Sequence, residues 1–329
     1  MTKEMKWKIY EKRNNFRNFY FHKALRRHIF EKYFNKDPYL PIYAHHQVLG
    51  MKKTNQVICE MIQSGRPFMV ARFGNTELSV MTSVLKRRIF GKSEENDARL
   101  EEWFQNLQDL SGFFPNQIDM AERFTDLMLD CCKEVDLLAM FHCYMDDYII
   151  TEYMKECRVT FLNHIEPWRC GKPWTAALKG KKVLVIHPFK ESIEEQYQKR
   201  KQLFSNPEIL PDFELKTLKA VQTIAGETDE RFATWFDALE YMYDEAMKRD
   251  FDIAIIGCGA YGFPLAAMIK RAGKQVIHMG GATQILFGIK GRRWVDNPRA
   301  GIEFNDAWTY PKNSETPKKC NVVENHCYW

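Results

Sequence analysis

The stretch from Asp252 to Gly291 constrains the fold of this chain more than any other part of the sequence. Ile253 to Ile256 is a short apolar run rich in β-branched residues, and it predicts a strand buried on both faces. Gly257, Gly259 and Gly262 follow with the spacing G-x-G-x-x-G. Such glycines allow a tight turn, after which a helix N-terminus offers free N–H groups to a phosphate.

A helix and a second strand complete this unit. The helix is indicated by an apolar stripe at helical spacing, formed by Leu265, Ala266, Met268 and Ile269. It ends near Gly273, where a C-cap favours glycine. Val276 to Met279 is the next predicted strand, and it leads into Gly280 and Gly281. The pattern predicts a βαβ unit with a glycine turn at the carboxyl end of each strand, where open α/β sheets bind ligands.

The glycine turn alone does not identify the ligand. A nicotinamide enzyme places an acid at the end of the second strand to hold the ribose, but here that strand ends His278-Met279-Gly280. A nucleotide or a phosphorylated sugar therefore fits better than NAD. The structural alternative is a tight strand–helix turn that binds nothing.

The rest of the chain alternates predicted strands with helices, which favours a mostly parallel, Rossmann-like α/β sheet with helices on both faces. The chain has no apolar run of membrane-spanning length and no signal-peptide pattern. Its nine cysteines are odd in number and form no C-x-x-C pair, so reduced thiols in a cytoplasmic protein are expected. We predict an extension over 1–45, a catalytic domain over 46–310 and a tail over 311–329.

The positive charge of the protein is concentrated at its N-terminus. Residues 1–34 hold ten Lys or Arg and three Glu, whereas the remainder is nearly neutral. The segment from Lys23 to Phe34 interleaves basic residues with aromatic residues at helical spacing. Such a segment can lie on an anionic membrane at the inner face, or it can pack its aromatics on the body or on a second subunit. Binding of nucleic acid is disfavoured because the basic residues do not continue as a stripe over the rest of the protein.

A second motif, R-P-F-M-V-A-R-F-G-N-T-E, covers Arg66 to Glu77. A strand leads to a glycine turn and then to Asn75 and Glu77 at a helix start. Their oxygens suit a hard cation and its phosphates, and Arg72 can meet a phosphate with two hydrogen bonds. In the alternative without a ligand, Asn75 is an N-cap and Glu77 is an acid in the first turn that complements the helix dipole.

Three motifs together resemble the GT-D fold glycosyltransferases of bacterial surface-polysaccharide and glycoprotein glycosylation. They are R-F-G-N-T-E-L, I-G-C-G-A-Y-G-F-P-L and H-M-G-G-A-T-Q-I-L-F-G-I-K-G, and the similarity spans residues 51–308. The resemblance implies a Rossmann-like domain that binds a UDP-sugar, with a D-x-E element near the diphosphate metal. That element aligns with Asn75-Thr76-Glu77. Asn75 replaces the first acid, which removes one negative charge from the expected Mn²⁺ or Mg²⁺ site and makes dependence on a divalent metal less expected.

The resemblance also assigns site residues. Glu77 and His187 are the candidate catalytic residues, and Glu77 and Asn75 the candidate metal ligands. The donor-binding set comprises Arg72, Gly74, Asn75, Gly257, Gly259, Tyr261, Gly280, Gly281, Thr283 and Gln284. Further polar or phosphate contacts are expected from Gln222, Thr223, Lys190, Arg200 and Lys201.

The sequence thus favours a nucleotide-sugar-dependent glycosyltransferase that uses a glycan or a lipid-linked glycan as acceptor. A non-catalytic binding or scaffold protein on a transferase fold is the first alternative, and an NAD(P) oxidoreductase the second. Whether the chain forms a homo-oligomer stays open.

Overall fold

The structure is a computed structural model that describes residues 1–17, 41–297, 300–318 and 327–329. The strands of the described residues are β1 (Ile42–Tyr43), β2 (His46–Leu49), β3 (Phe68–Ala71), β4 (Leu137–Met140), β5 (Arg158–Phe161), β6 (Lys182–His187), β7 (Glu214–Lys219), β8 (Ile253–Ile256) and β9 (Gln275–His278). They form one sheet in the order β1-β2-β5-β4-β3-β9-β8-β6-β7. Every neighbouring pair is parallel except β1 and β2. The predicted α/β class with a mostly parallel sheet is confirmed.

Helices connect these strands. Within the described ranges they are α1 (Lys3–Arg17), α2 (Met51–Gln63), α3 (Asn75–Phe90), α4 (Glu94–Ser111), α5 (Ile118–Cys131), α6 (Asp146–Tyr153), α7 (Lys190–Gln198), α8 (Arg200–Leu203), α9 (Trp235–Met247), α10 (Gly262–Arg271), α11 (Ala282–Leu286) and α12 (Arg292–Val295).

The sheet is buried on both faces because continuous apolar runs make up most of its central strands. In β6, Leu184 and Ile186 join the core on one face, whereas Val183 and Val185 join the core on the other. Since successive side chains of a strand point to opposite faces, one continuous apolar run supplies both cores. Polar side chains are therefore concentrated in the loops at the ends of the strands.

The bounds of two helices depend on local contacts. The sequence predicts a helix over 230–249, but α9 begins only at Trp235, because Thr234 caps it and forms a capping box with Asp237. The sequence also predicts one polar helix over 191–204, which is divided at Lys199 into α7 and α8.

The N-terminal helix α1 packs on the body of the protein. Trp7 is fully buried, with its ring centroid 4.9 Å from that of Tyr148. Residues 3–17 thus pack their aromatic side chains on the body of the protein. The basic aromatic segment over 23–34 lies outside the described residues, and membrane contact there stays a prediction, as does the division into 1–45, 46–310 and 311–329. Among the described helices, none is both long enough and apolar enough to span a bilayer.

Candidate functional site

A cavity of about 650 Å³ lies at the carboxyl ends of the central parallel strands. Arg72 after β3, Phe141 after β4 and the last residues of β6 and β9, His187 and His278, all line it, together with Gly257 after β8. Parallel strands direct their carboxyl ends to the same edge, which is why loops distant in sequence meet here. The cavity is within the size range of small-ligand sites.

Most of the residues predicted from the sequence meet in this cavity. Those that line it are Arg72, Gly74, Asn75, Glu77, His187, Gln222, Gly257, Gly259, Gly280, Gly281 and Gln284. The two motifs that the sequence placed far apart therefore form one site.

Three predicted residues do not reach the cavity surface. Tyr261 is buried behind the glycine turn, where its ring stacks on Trp235 at 4.9 Å and its hydroxyl lies 3.2 Å from Thr223 Oγ1. Thr223 Oγ1 donates a hydrogen bond to the carbonyl of Gly112. Thr283 is fully buried and donates a hydrogen bond to the Ile256 carbonyl at 3.3 Å. These residues hold the walls of the cavity from behind.

Arg72 brings a positive charge into the cavity. Its guanidinium lies 4.9 Å from the centroid of the Phe141 ring, and its buried Nε has no hydrogen-bond partner. Among the described residues that line the cavity, Glu77 is the only acid. Arg72 has no carboxylate partner among the described residues, and this favours an anionic ligand, because a buried donor left unpaired costs about 1–3 kcal/mol.

The carboxylate of Glu77 folds back over the glycine that caps α3. A Cβ at Gly74 would lie 1.6 Å from Oε2 of Glu77, so the cap position has to be glycine for this rotamer. Thr76 Oγ1 donates a hydrogen bond to the same oxygen at 2.8 Å and lies 2.8 Å from Ser111 Oγ. The carboxylate is thus held at the N-terminus of α3, facing the cavity.

The glycines of the G-x-G-x-x-G turn are required by close packing. A Cβ at Gly257 would lie 2.5 Å from the carbonyl oxygen of Gly280, which brings the two glycine turns together. Gly259 has a φ of 58°, in the left-handed region that favours glycine. At Gly262 a Cβ would lie 2.2 Å from the ring of His278, so this glycine makes room for that histidine.

His187 is a neutral hydrogen-bond donor. Its Nδ1 accepts a hydrogen bond from the backbone N–H of Phe189 at 3.0 Å, so the proton of the neutral ring is on Nε2. Complete burial lowers the pKa of His187 to about 3. Because Nε2 carries the proton, His187 fits donation to an oxygen of a ligand better than proton abstraction.

His278 is fixed in the opposite tautomer. Its Nδ1 lies 3.3 Å from the Ile256 carbonyl, which can only accept, so Nδ1 carries the proton and Nε2 its lone pair. Burial, together with the nearby positive charge of Arg72, lowers the pKa of His278 to about 3. In the sequence, His278 stood out only because the second strand ends there without the ribose-binding acid of a nicotinamide enzyme. The structure shows that His278 lines the cavity.

The last residues of the chain also line the cavity. Tyr328 and Trp329 lie against the second glycine turn, where a Cβ at Gly281 would lie 2.4 Å from the Tyr328 ring. Gln284 Nε2 donates to the Tyr328 carbonyl at 3.1 Å. The sequence analysis assigned these residues to a separate tail. The feature that could have indicated their role is the aromatic pair Tyr328-Trp329, which follows a polar segment.

Other candidate residues lie away from the cavity. Arg200 forms an ion pair with Asp212, Lys201 is exposed, and Lys190 lies 3.8 Å from Glu194. The sequence predicts the adjacent acids Asp146 and Asp147 as helix caps; they lie in the first turn of α6 and are buried partners of Arg13 and Arg17 of α1.

The donor set near Glu77 limits how a divalent cation can be held. The described residues contain no group of three or more His, Cys, Asp or Glu side chains that could hold a metal. Asn75 and Glu77 offer one amide and one carboxylate oxygen. Mg²⁺ binds one or two carboxylates plus substrate phosphates, so these residues fit an ion that arrives with a diphosphate.

Fold and site together define an α/β protein with a cavity lined by Arg72 at the carboxyl edge of a mostly parallel sheet. No family model and no curated protein matches the chain. Two solved structures are similar, each covering 83% of this chain and 93% of its own. One is a selenomethionine-substituted structure of domain of unknown function 1792, with 13% identity and a TM-score of 0.42.

The other is described as showing that domain of unknown function 1792 has a distinct glycosyltransferase fold, with 12% identity and a TM-score of 0.40. The glycosyltransferase resemblance predicted from the motifs agrees with this description.

Proposed function

We propose that this protein is a nucleotide-sugar-dependent glycosyltransferase of cell-surface polysaccharide or glycan synthesis, with its donor in the cavity beside Arg72. The observation that carries the proposal is the unpaired Nε of Arg72 in a cavity with a single lining acid among the described residues. The choice of UDP as the nucleotide follows the motif resemblance.

The transfer requires a leaving diphosphate to be stabilised. The bond between the anomeric carbon and the diphosphate oxygen breaks, and its electron pair stays on the diphosphate. Arg72 and the Nε2–H of His187 line the cavity as donors for that charge, and the N-terminus of α3 adds its dipole. A divalent cation held by Asn75, Glu77 and the phosphates would supply further charge neutralisation.

The acceptor hydroxyl forms the new bond to the anomeric carbon and loses its proton. Glu77 takes that proton in our proposal, because its carboxylate faces the cavity and the Nε2 of His187 already carries a proton. Nε2 of His278 accepts a hydrogen bond from a sugar or ribose hydroxyl. The acceptor is a glycan or a lipid-linked glycan, met in the cytoplasm at the inner membrane face.

The test is turnover of a panel of UDP-, GDP-, CMP- and dTDP-sugars, with and without Mn²⁺, measured as released nucleotide. We expect one UDP-sugar to be consumed, and Glu77→Gln to reduce the rate by about 100-fold or more, within the range of general-base contributions. Glu95→Gln is the matched control, since Glu95 is an exposed acid in the first turn of α4. If Glu77→Gln retained full turnover, the assigned role of Glu77 would be wrong.

A second candidate is a sugar-nucleotide-binding protein without transferase activity. Asn75 in place of an acid favours it, because the amide leaves one carboxylate beside the cavity. Binding of a nucleotide sugar with no turnover in the same panel would support this candidate over the transferase.

A further inference from the structure

A second cavity of about 840 Å³ adjoins the first at the end of the sheet. Pro188 and Gln222 line both cavities. The remaining wall comes from the end of β7, the loop over 226–231, one face of α9 and residues 314–318. A molecule in the second cavity therefore lies next to the ligand of the first.

The carboxylate and guanidinium groups of the second cavity are paired within the protein. Arg231 donates to both oxygens of Asp229, at 2.9 and 2.6 Å, and Arg249 lies 3.2 Å from Glu245. The cavity is also lined by three lysines, so five basic side chains face four acidic ones; the lysines are Lys190, Lys219 and Lys318. Among the described residues, Arg72 in the first cavity has no carboxylate partner, so the two cavities differ in the ligand that they favour.

The other acids of the second cavity also have internal partners. Glu315 accepts hydrogen bonds from the backbone N–H of Glu191 at 2.7 Å and from Ser192 at the start of α7. Glu227 accepts from the backbone N–H of Lys318 at 3.1 Å. The four acceptor sites of Glu315 are thus filled inside the protein, whereas Glu227 keeps further acceptor sites for hydroxyl groups, because an ionised carboxylate has about four.

We propose that the second cavity binds the acceptor as a neutral, polyhydroxylated sugar chain. Paired carboxylates and guanidinium groups, together with the amide of Gln222 and the hydroxyl groups of Thr217, Thr228, Ser314 and Thr316, present hydrogen-bond donors and acceptors with little net charge. The volume is ample for a disaccharide. Gln222, which lines both cavities, lies where the acceptor hydroxyl meets the donor.

This inference rests on the proposed glycosyl transfer, and the experiment separates the two. Lactose, maltose and cellobiose are titrated into the full-length protein, with and without UDP, and followed by saturation-transfer NMR. UDP binding is measured in parallel. The variants are Arg231→Ala in the second cavity and Arg72→Ala in the first.

Arg200→Ala is the matched control, because Arg200 also pairs with an aspartate and lies 4.8 Å from a tyrosine ring but lines neither cavity. We expect at least one disaccharide to bind, and Arg231→Ala to weaken it by about tenfold or more. Arg72→Ala and Arg200→Ala should leave its affinity within about twofold, and Arg72→Ala should weaken UDP instead.

Two results would overturn the acceptor site: no saturation transfer to any of the three disaccharides, or loss of disaccharide binding in Arg72→Ala but not in Arg231→Ala. Disaccharide binding without UDP binding would instead contradict the donor in the first cavity and leave the sugar site standing.

Discussion

The carboxylate of Glu77 occupies the space that a side chain at Gly74 would fill, with 1.6 Å between Oε2 and the position of a Cβ. The glycine of the R-F-G-N-T-E motif therefore determines the position of the carboxylate three residues later. This relationship ties a backbone requirement to the only acid among the described residues that line the cavity.

We expect Gly74→Ala to displace the carboxylate of Glu77 and to reduce sugar transfer by about tenfold or more, as misplacement of a catalytic group does. The folded state should change little, since a flexible carboxylate can move aside. Gly50→Ala is the control, because Gly50 is also an extended N-cap glycine and has nothing within 4 Å of its Cβ position. Equal transfer rates for the two variants would contradict the role of Gly74.

The N-terminal helix is expected to be part of the folded unit. Asn14 is fully buried, donates to Asp147 at 2.7 Å and accepts from the backbone N–H of Met145 at 2.9 Å. Met145 has a φ of 61°, uncommon for a residue other than glycine, so this contact holds a strained turn.

Asn14→Ala should therefore lower the free energy of unfolding by about 2–3 kcal/mol, because it leaves buried polar groups unpaired. Urea denaturation measures the change. Asn15→Ala, at the neighbouring exposed position, should stay within about 0.5 kcal/mol. A loss of the same size in both variants would show that α1 does not dock through Asn14.

The buried histidines predict a pH dependence of stability. The pKa values of His187 and His278 are lowered to about 3, below the ordinary 6.5, so the unfolded chain binds more protons between these values. The free energy of unfolding then falls as the pH is lowered from 6.5, by up to about 1.4 kcal/mol per pH unit for each histidine.

Asp146 opposes this trend. Burial raises its pKa to about 6, so below pH 6 the folded state takes up a proton that the unfolded state does not, and stability increases. Burial also lowers the pKa of His164 and raises the pKa of Glu166, which act in opposite directions, so the two buried histidines set the sign and stability falls with pH. In His278→Asn, the midpoint of urea denaturation should depend less on pH between pH 6.5 and 5. In His45→Asn, at an exposed position, the dependence of the midpoint on pH should equal that of the wild type. An unchanged slope in His278→Asn would contradict the buried neutral ring.

The sheet could be predicted from the sequence because its signals are local. Strand β8 is one apolar run, and the glycines after it mark the turn, so residues 252–291 were assigned without any distant contact. The motif resemblance implied that Arg72 and Gly257 belong to one donor site, and parallel topology explains why they meet, since both residues come after a buried strand.

The parts of the site that were missed depend on distant contacts. Tyr328 reaches the cavity through Gln284 and Gly281, more than forty positions earlier, and no periodicity in the tail indicates that contact. Tyr261 follows the glycine turn in sequence, yet the stack on Trp235 draws it into the core. The chemistry of His187 depends on one backbone N–H, which fixes the tautomer and cannot be inferred from residue types.

Calorimetric titration of UDP tests the central claim most directly. Wild-type protein should bind UDP, and Arg72→Ala should weaken binding by about ten- to a hundredfold, as expected for a lost charge-assisted hydrogen bond of about 1.5–3 kcal/mol. Arg66→Ala, an exposed arginine before the same strand, should bind within about twofold of wild type. Absence of UDP binding to the wild type, or unchanged binding in Arg72→Ala, would contradict a donor site beside Arg72.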